Sequence, residues 1–118
     1  MSEITVEQRS YMIRRMDEIT SEKIAAKQTE LFGEGGPTSP TWGMVFAAIK
    51  AGEIVLKEGT EDLTRPYLMP SDVEWPALDA KHKALADYRE MLRVERQRIM
   101  DDMMLGEAVV GLTKFAAL

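Results

Sequence analysis

Histidine and cysteine, which commonly bind metals or act in catalysis, are scarce in this chain. The one histidine and its nearest acidic residues have the spacing of only part of a metal site. Asp79 and His82 are three residues apart, which places both on one face of a helix, as in carboxylate-bridged di-iron bundles. Such a site needs the motif twice, yet His82 is the one histidine in 118 residues. The chain also has no cysteine, which excludes disulfides, zinc ribbons, iron–sulfur clusters and thiol catalysis. We therefore predict no catalytic residue, no cofactor and no metal ligand.

Pairs of acidic residues leave one enzymatic hypothesis open. Glu18 and Glu22 lie one helical turn apart, and so do Glu58 and Asp62. Carboxylate pairs of this kind on two adjacent helices bind Mg²⁺ in helical nucleotide pyrophosphohydrolases, where the substrate phosphates complete the coordination. The second pair straddles Gly59, a residue that we expect to lie beyond the end of a helix. A Mg²⁺-dependent hydrolase of this type is the third of three functional hypotheses.

Two long helices are clearly signalled. Thr5 and Gln8 form a capping-box pattern, which predicts a first helix over about 6–31 that ends before Gly33. A second long helix is predicted over about 76–105, because apolar residues recur there every seven positions, a spacing typical of a helix-pairing seam. These positions are Leu78, Leu85, Leu92 and Ile99. The other inner position of this repeat is poorly apolar, with Lys81, Tyr88, Glu95 and Asp102. We therefore favour an antiparallel pairing of the two long helices within one chain over a parallel homodimer.

A shorter helix is predicted between them, over about 40–57. Its apolar residues Trp42, Val45, Phe46 and Ile49 have the i, i+3, i+4, i+7 spacing of a single helix stripe, which we expect to face the core. Gly52 interrupts this segment, so residues 53–58 could instead be extended. We favour continuation of the helix, because a lone strand would have nothing to pair with.

The expected fold is mainly α: one domain, 1–118, built as an antiparallel bundle of three main helices. A proline-punctuated connector over 59–75 joins the second and third helices, and a docked apolar tail over 107–118 follows the third. Without an apolar run of 18 residues or an N-terminal leader, we expect a cytoplasmic protein with no membrane span. Its small size would suit a phage or bacterial accessory protein.

Apolar residues of the connector and the tail exceed what three helices obviously need to bury, which is typical of interfaces. We therefore predict a non-enzymatic interaction module, an adaptor, inhibitor or assembly component, that binds a protein partner or itself as a homo-oligomer. The predicted partner-binding residues are Tyr67, Leu68, Met69, Trp75, Val109, Val110, Leu112, Phe115 and Leu118.

The charge distribution gives the second hypothesis, an oligomer that binds nucleic acid. Net charge is −5 overall, but residues 81–98 carry six bases and three acids, whereas residues 37–80 carry three bases and seven acids. Arg89, Arg93 and Arg96 lie at i, i+4 and i+7, so they could contact successive phosphates. The interleaved acids weaken this field, and non-specific nucleic-acid binding usually needs a broader basic face.

Overall fold

The computed structural model describes residues 3–62, 64–101 and 104–118, and the fold within these ranges is mainly helical. The α-helices, in chain order, are α1 (Val6–Phe32), α2 (Trp42–Ala51), α3 (Pro76–Met100) and α4 (Leu105–Ala117). Single 3₁₀ turns at Thr60–Asp62 and Pro70–Asp72 punctuate the connector between α2 and α3. The described ranges contain isolated β-bridges and no strand.

Helix α1 begins where the capping pattern predicts. The Thr5 hydroxyl accepts a hydrogen bond from the Gln8 backbone N–H at 3.2 Å, and the Gln8 side chain accepts one from the Thr5 N–H at 2.9 Å. This reciprocal pair satisfies backbone donors that the first helical turn leaves without partners. The helix ends at Phe32, and Gly33 follows with a φ of 81°.

Helix α2 is shorter than predicted, so the expected range of 40–57 is wrong. Thr41 caps its start by accepting from the Met44 N–H, and Gly52, in the left-handed conformation with a φ of 71°, ends it after Ala51. The following residues are extended. Lys57 donates to the Asp72 carbonyl and Glu74 donates to the Val55 carbonyl, both at 2.8 Å. The extended segment thus pairs with the connector, a partner that local sequence patterns do not reveal.

Two glycines of this region should respond oppositely to alanine. Gly52→Ala should lower the free energy of unfolding by about 1–2 kcal/mol, because a Cβ disfavours the left-handed conformation. The matched control, Gly43→Ala, should raise it by up to about 0.5–1 kcal/mol, since Gly43 is the second residue of α2 and the nearest atom to an added Cβ is the Thr41 hydroxyl at 3.8 Å. Urea denaturation followed by circular dichroism measures both changes, and shifts of the same sign would contradict the assigned helix end.

The main core lies where α1, α3 and α4 meet. Along α1 and α3, Phe32 lies against His82 and Asp17 forms a salt bridge with Arg96. Lys23 of α1 donates to the carbonyl of Leu118, the residue that follows α4. The buried members of this cluster are Met12, Met16, Ile19, Leu92, Ile99, Ala108 and Phe115. Burial of these apolar side chains is the main favourable contribution to the stability of the fold.

The third predicted helix, over 76–105, is also too long. Helix α3 ends at Met100, and Leu105 begins the separate helix α4, so the apolar tail docks as a helix. Gly106, the residue just beyond the predicted helix end, lies in the first turn of α4. Gly111 lets α4 approach α3 closely, since a Cβ there would be 3.0 Å from Cγ1 of Ile99.

Helix α2 lies outside the main core, which contradicts the prediction that its apolar stripe faces inward. Only Val45 is buried, at 2% exposure, whereas Trp42, Phe46 and Ile49 are 48%, 65% and 53% exposed. The physical reason is that this short helix packs on the 3₁₀ turn at Pro70–Asp72 rather than on the long helices. The whole molecule is elongated, with extents of 67 × 28 × 18 Å.

Candidate interaction surfaces

The most exposed aromatic cluster is on α2. Trp42, Phe46 and Ile49, which we call the α2 face, lie at i, i+4 and i+7, and the two rings are 6.5 Å apart and tilted by 32°. Large apolar side chains at this spacing are the usual anchors of a helix that inserts into a partner's groove. Since the backbone of α2 is already helical and capped at both ends, these anchors are held in one arrangement before any binding.

Acidic side chains follow the helix that carries the α2 face. Residues 41–62 contain two bases and four acids, and the acids are all exposed. Within the described part of the chain, none of these four carboxylates forms a salt bridge. They are Glu53, Glu58, Glu61 and Asp62. The chain segment that carries the α2 face is therefore net negative.

The connector residues predicted to bind a partner are only partly exposed. Tyr67 is 58% exposed and Met69 is 38% exposed, whereas Leu68 and Trp75 are half-buried. Trp75 is fixed by its indole N–H, which donates to the Pro70 carbonyl at 2.9 Å. Of these four side chains, Tyr67 therefore has the largest exposed fraction, and Trp75 has a structural role in holding the connector.

An ion pair joins two parts of the connector next to Tyr67. Arg65 forms a salt bridge with Asp72, and its guanidinium carbon lies 5.7 Å from the centre of the Tyr67 ring. The Asp72 carboxylate also accepts a hydrogen bond from the Met69 N–H at 2.7 Å. The hydrogen bond from Arg65, followed by that from Met69, lowers the pKa of Asp72 below its ordinary value. Hydrogen bonds donated to a carboxylate favour its charged form and so lower its pKa.

This lowered pKa predicts that the connector loosens in acid. A carboxylate with a lowered pKa in the folded state stabilises the fold fully above its unfolded-state pKa of about 3.9. That stability is lost as pH falls through the lower folded-state value. We expect Trp75 fluorescence, measured in a Trp42→Phe background, to stay constant from neutral pH down to about pH 4 and to change below it.

Two substitutions distinguish the effect of protonating Asp72 from the effect of protonating other carboxylates. Asp72→Asn should shift the Trp75 signal already at neutral pH and remove most of its acid-dependent change. Glu74→Gln is the matched control, because Glu74 is an exposed carboxylate two residues away, and it should titrate like the wild type. An acid transition that is the same in all three proteins would show that Asp72 does not stabilise the connector.

The tail residues fall into two groups. Val109, Val110 and Leu118 are about half-exposed, and Leu112 is half-buried. Phe115 is only 1% exposed and belongs to the main core, so its side chain forms no part of a surface in this structure. The helical period of α4 explains the division, since residues at its inner face pack on α1 and α3.

A cleft between α1 and α4 continues the exposed part of the tail. Met12, which is buried, and the half-buried Leu112 form its floor, and the exposed Tyr11 and Val109 form its walls. Glu7 and Gln8 complete the lining, and the volume is about 450 Å³. We call this feature the α1–α4 cleft. It was not expected from the sequence, because only the folded chain brings the start of α1 beside α4.

The arginines of the nucleic-acid hypothesis are largely engaged by carboxylates. Arg93 makes two hydrogen bonds to Glu90, at 2.6 and 2.9 Å, and Arg96 pairs with Asp17 at 2.7 Å. Arg89 is exposed on the same helix. Bidentate pairing occupies the donor groups that would contact phosphate oxygens. A nucleic acid would have to compete with these carboxylates for Arg93 and Arg96.

Two residues of the enzymatic hypotheses, His82 and Glu18, are held in structural contacts. His82 lies 2.6 Å from the Thr38 carbonyl and 5.1 Å from the Phe32 ring, so it fastens the loop after α1 to α3. Glu18 pairs with Arg15 one turn earlier. Within residues 3–62, 64–101 and 104–118, no three His, Asp or Glu side chains come together as a set able to hold a metal ion.

Comparison with known proteins gives no relative for this arrangement. No protein-family model, curated protein or solved structure shows significant similarity to the chain. Among the helices described, none combines the length and the apolar character needed to cross a membrane.

Proposed function

We propose that this chain is a non-enzymatic interaction module, an assembly component that binds a protein surface through the α2 face. In this proposal α1 and α3 form an antiparallel pair that serves as a rigid support. The contacts of Phe32 with His82 and of Asp17 with Arg96 favour that orientation, because they join the end of α1 to the start of α3 and the middle of α1 to the later part of α3. Helix α4 packs against both α1 and α3.

The observation that carries the proposal is the exposure of Trp42, Phe46 and Ile49 on one capped helix. Exposed apolar residues scattered singly need no explanation, but a cluster with two aromatic rings on a preformed helix is typical of a binding site. Aromatic residues supply a large share of interface energy because they bury much area with few rotatable bonds. The net negative charge of residues 41–62 favours a partner groove bordered by cations.

Affinity capture with paired variants tests this function. The wild-type chain and a triple variant, in which Trp42, Phe46 and Ile49 are each changed to serine, are immobilised and exposed to extract of the source cell. Because the three side chains are exposed, the variant should keep its helical circular dichroism. The proposal expects a protein retained by the wild type and lost with the triple variant.

Titration calorimetry with the purified partner then makes the test quantitative. Truncating a central anchor costs about 2 kcal/mol or more, so Phe46→Ala should weaken binding by about 30-fold or more. Met91→Ala is the matched control, an exposed apolar residue on α3 that belongs to no predicted binding surface, and it should bind like the wild type. Equal affinity of wild type and Phe46→Ala would overturn the proposal.

A further inference from the structure

The extended segment that follows α2, residues 53–57, is paired along only one of its two edges. Backbone hydrogen bonds at Val55 and Lys57 join it to the connector, one on each side of the bridge at Leu56. In extended backbone, the N–H and C=O groups of successive residues point to opposite sides. The groups of Val55 and Lys57 therefore face the connector, and those of Ile54 and Leu56 face away from it.

The outward groups form an open edge, which we define as the backbone N–H and C=O groups of Ile54 and Leu56. Within the described part of the chain, none of these groups makes a hydrogen bond. Leu56 is 47% exposed and the neighbouring Val55 is 55% exposed, so a second molecule can reach the edge. Unpaired backbone groups at an exposed edge are a template for pairing with a further extended chain.

The spacing of the open edge fits an extended peptide rather than a helix. Ile54 and Leu56 are two residues apart, about 6.6 Å at 3.3 Å per residue, and alternate residues of another extended chain have the same spacing. A helix bonds its own backbone groups and offers none to an edge. The exposed side chains of Val55 and Leu56 point to opposite faces, so each could contact a side chain of the added peptide.

Charge favours a basic peptide. Residues 53–62 carry four acids and one base, and within the described ranges none of these acids forms a salt bridge. Glu53 immediately precedes the open edge and Glu58 follows it by two residues, so the edge has an exposed carboxylate beyond each end. Pairing with the same segment of a second copy would instead bring like charges together, which is unfavourable.

We propose that the open edge binds a basic, extended peptide segment of a partner protein by β-augmentation, in which the peptide adds beside an exposed backbone edge. Backbone hydrogen bonds to Ile54 and Leu56 hold the peptide, and its lysine or arginine side chains pair with Glu53 and Glu58. The open edge is separate from the α2 face, and this proposal does not depend on that face being an interface.

A displayed library of random twelve-residue peptides, selected against the whole chain, supplies the probe. We expect the enriched peptides to be rich in lysine or arginine and free of proline in their central residues. In the complex, amide hydrogen exchange at Ile54 and Leu56 should slow by about 10-fold or more, and exchange at Val55 and Lys57 should slow less. This alternation, measured by nuclear magnetic resonance, identifies the outward edge as the binding site.

Substitutions at Leu56 test the backbone contact. Leu56→Pro removes the outward N–H and should abolish binding of the selected peptide. Leu56→Ala keeps the N–H and should weaken binding by no more than about 10-fold. Circular dichroism and Trp75 fluorescence check that each variant keeps its fold. If the proline variant does not fold, the alternation of amide exchange in the wild-type complex decides the question.

The charge contribution is tested with paired glutamates. Changing Glu53 and Glu58 together to glutamine should weaken binding of the selected peptide by about 3-fold or more. The matched control changes Glu7 and Glu107 to glutamine, since both are exposed carboxylates on the long-helix part of the molecule. This control should bind like the wild type, and equal weakening by both pairs would contradict a local role of Glu53 and Glu58.

Other outcomes separate this proposal from the proposed function. A library that yields no binding peptide overturns the open edge as a site, and so do peptides that leave exchange at Ile54 and Leu56 unchanged. The triple variant of the α2 face should bind the selected peptide like the wild type. Peptides lost with that variant overturn this proposal and leave the proposed function standing. A dimer of the chain alone that protects Ile54 and Leu56 also overturns it, because the occupant is then a second copy.

Discussion

Replacing Phe115 with alanine should lower the free energy of unfolding by about 3–5 kcal/mol, the usual cost of removing a buried phenylalanine. The ring is 1% exposed and belongs to the cluster that α4 shares with α1 and α3. Its loss removes apolar contacts and leaves a cavity that the surrounding helices fill only partly. Because α4 has thirteen residues, it would be marginal as a helix without this tertiary contact.

Urea denaturation followed by circular dichroism measures this loss, and Val110→Ala is its matched control. Val110 lies on the same helix but is 53% exposed, so its truncation should change the free energy of unfolding by less than about 0.5 kcal/mol. If the two substitutions were equally mild, α4 would not be docked through Phe115.

Leu92→Ala should cost about 2–5 kcal/mol, the second large effect that we expect. Leu92 is 1% exposed near the middle of the core, where α3 meets α1. The methyl groups removed are surrounded on all sides, so neither water nor a rearranged neighbour can easily replace them. Differential scanning calorimetry would show the loss as a melting temperature lower by several degrees.

Met91→Ala is the control for Leu92→Ala, because it removes a side chain of similar size from the preceding position of α3. Met91 is 38% exposed, so its truncation should lower stability much less than that of Leu92. If the two substitutions lowered stability equally, the face of α3 that packs on α1 would not be the one that carries Leu92.

The parts of the fold that local rules specify could be predicted from the sequence. The Thr5–Gln8 capping box begins α1, and the seven-residue repeat of α3 identifies Leu85, Leu92 and Ile99 as buried. Both depend on residues within a turn or two of one another. The helical content of the chain follows from the same patterns. The α2 face could not be foreseen as a surface, because its stripe was expected to face the core, and Tyr67 and Val109, which were expected to bind a partner, lie outside it.

The remaining features depend on contacts between distant parts of the chain. Apolar spacing shows that Trp42 and Phe46 share a helix face with Val45, but it cannot show whether another helix covers that face. Nor could local patterns reveal that residues 53–57 are extended, since their pairing partner is the connector around Val73. A helix that is apolar on nearly every side, as α2 is, indicates either burial or an interface.

The separation of the interior into two parts has a consequence for local opening. Val45, Thr60 and Val73 are buried, but none of them belongs to the cluster that joins α1, α3 and α4. Regions with few buried apolar contacts open at lower free energy than the rest of a protein. Backbone amides of α2 and the connector should therefore exchange with deuterated solvent sooner than those at the centres of the long helices. A partner bound at the α2 face would then slow amide exchange at this end of the molecule more than at the centres of α1 and α3.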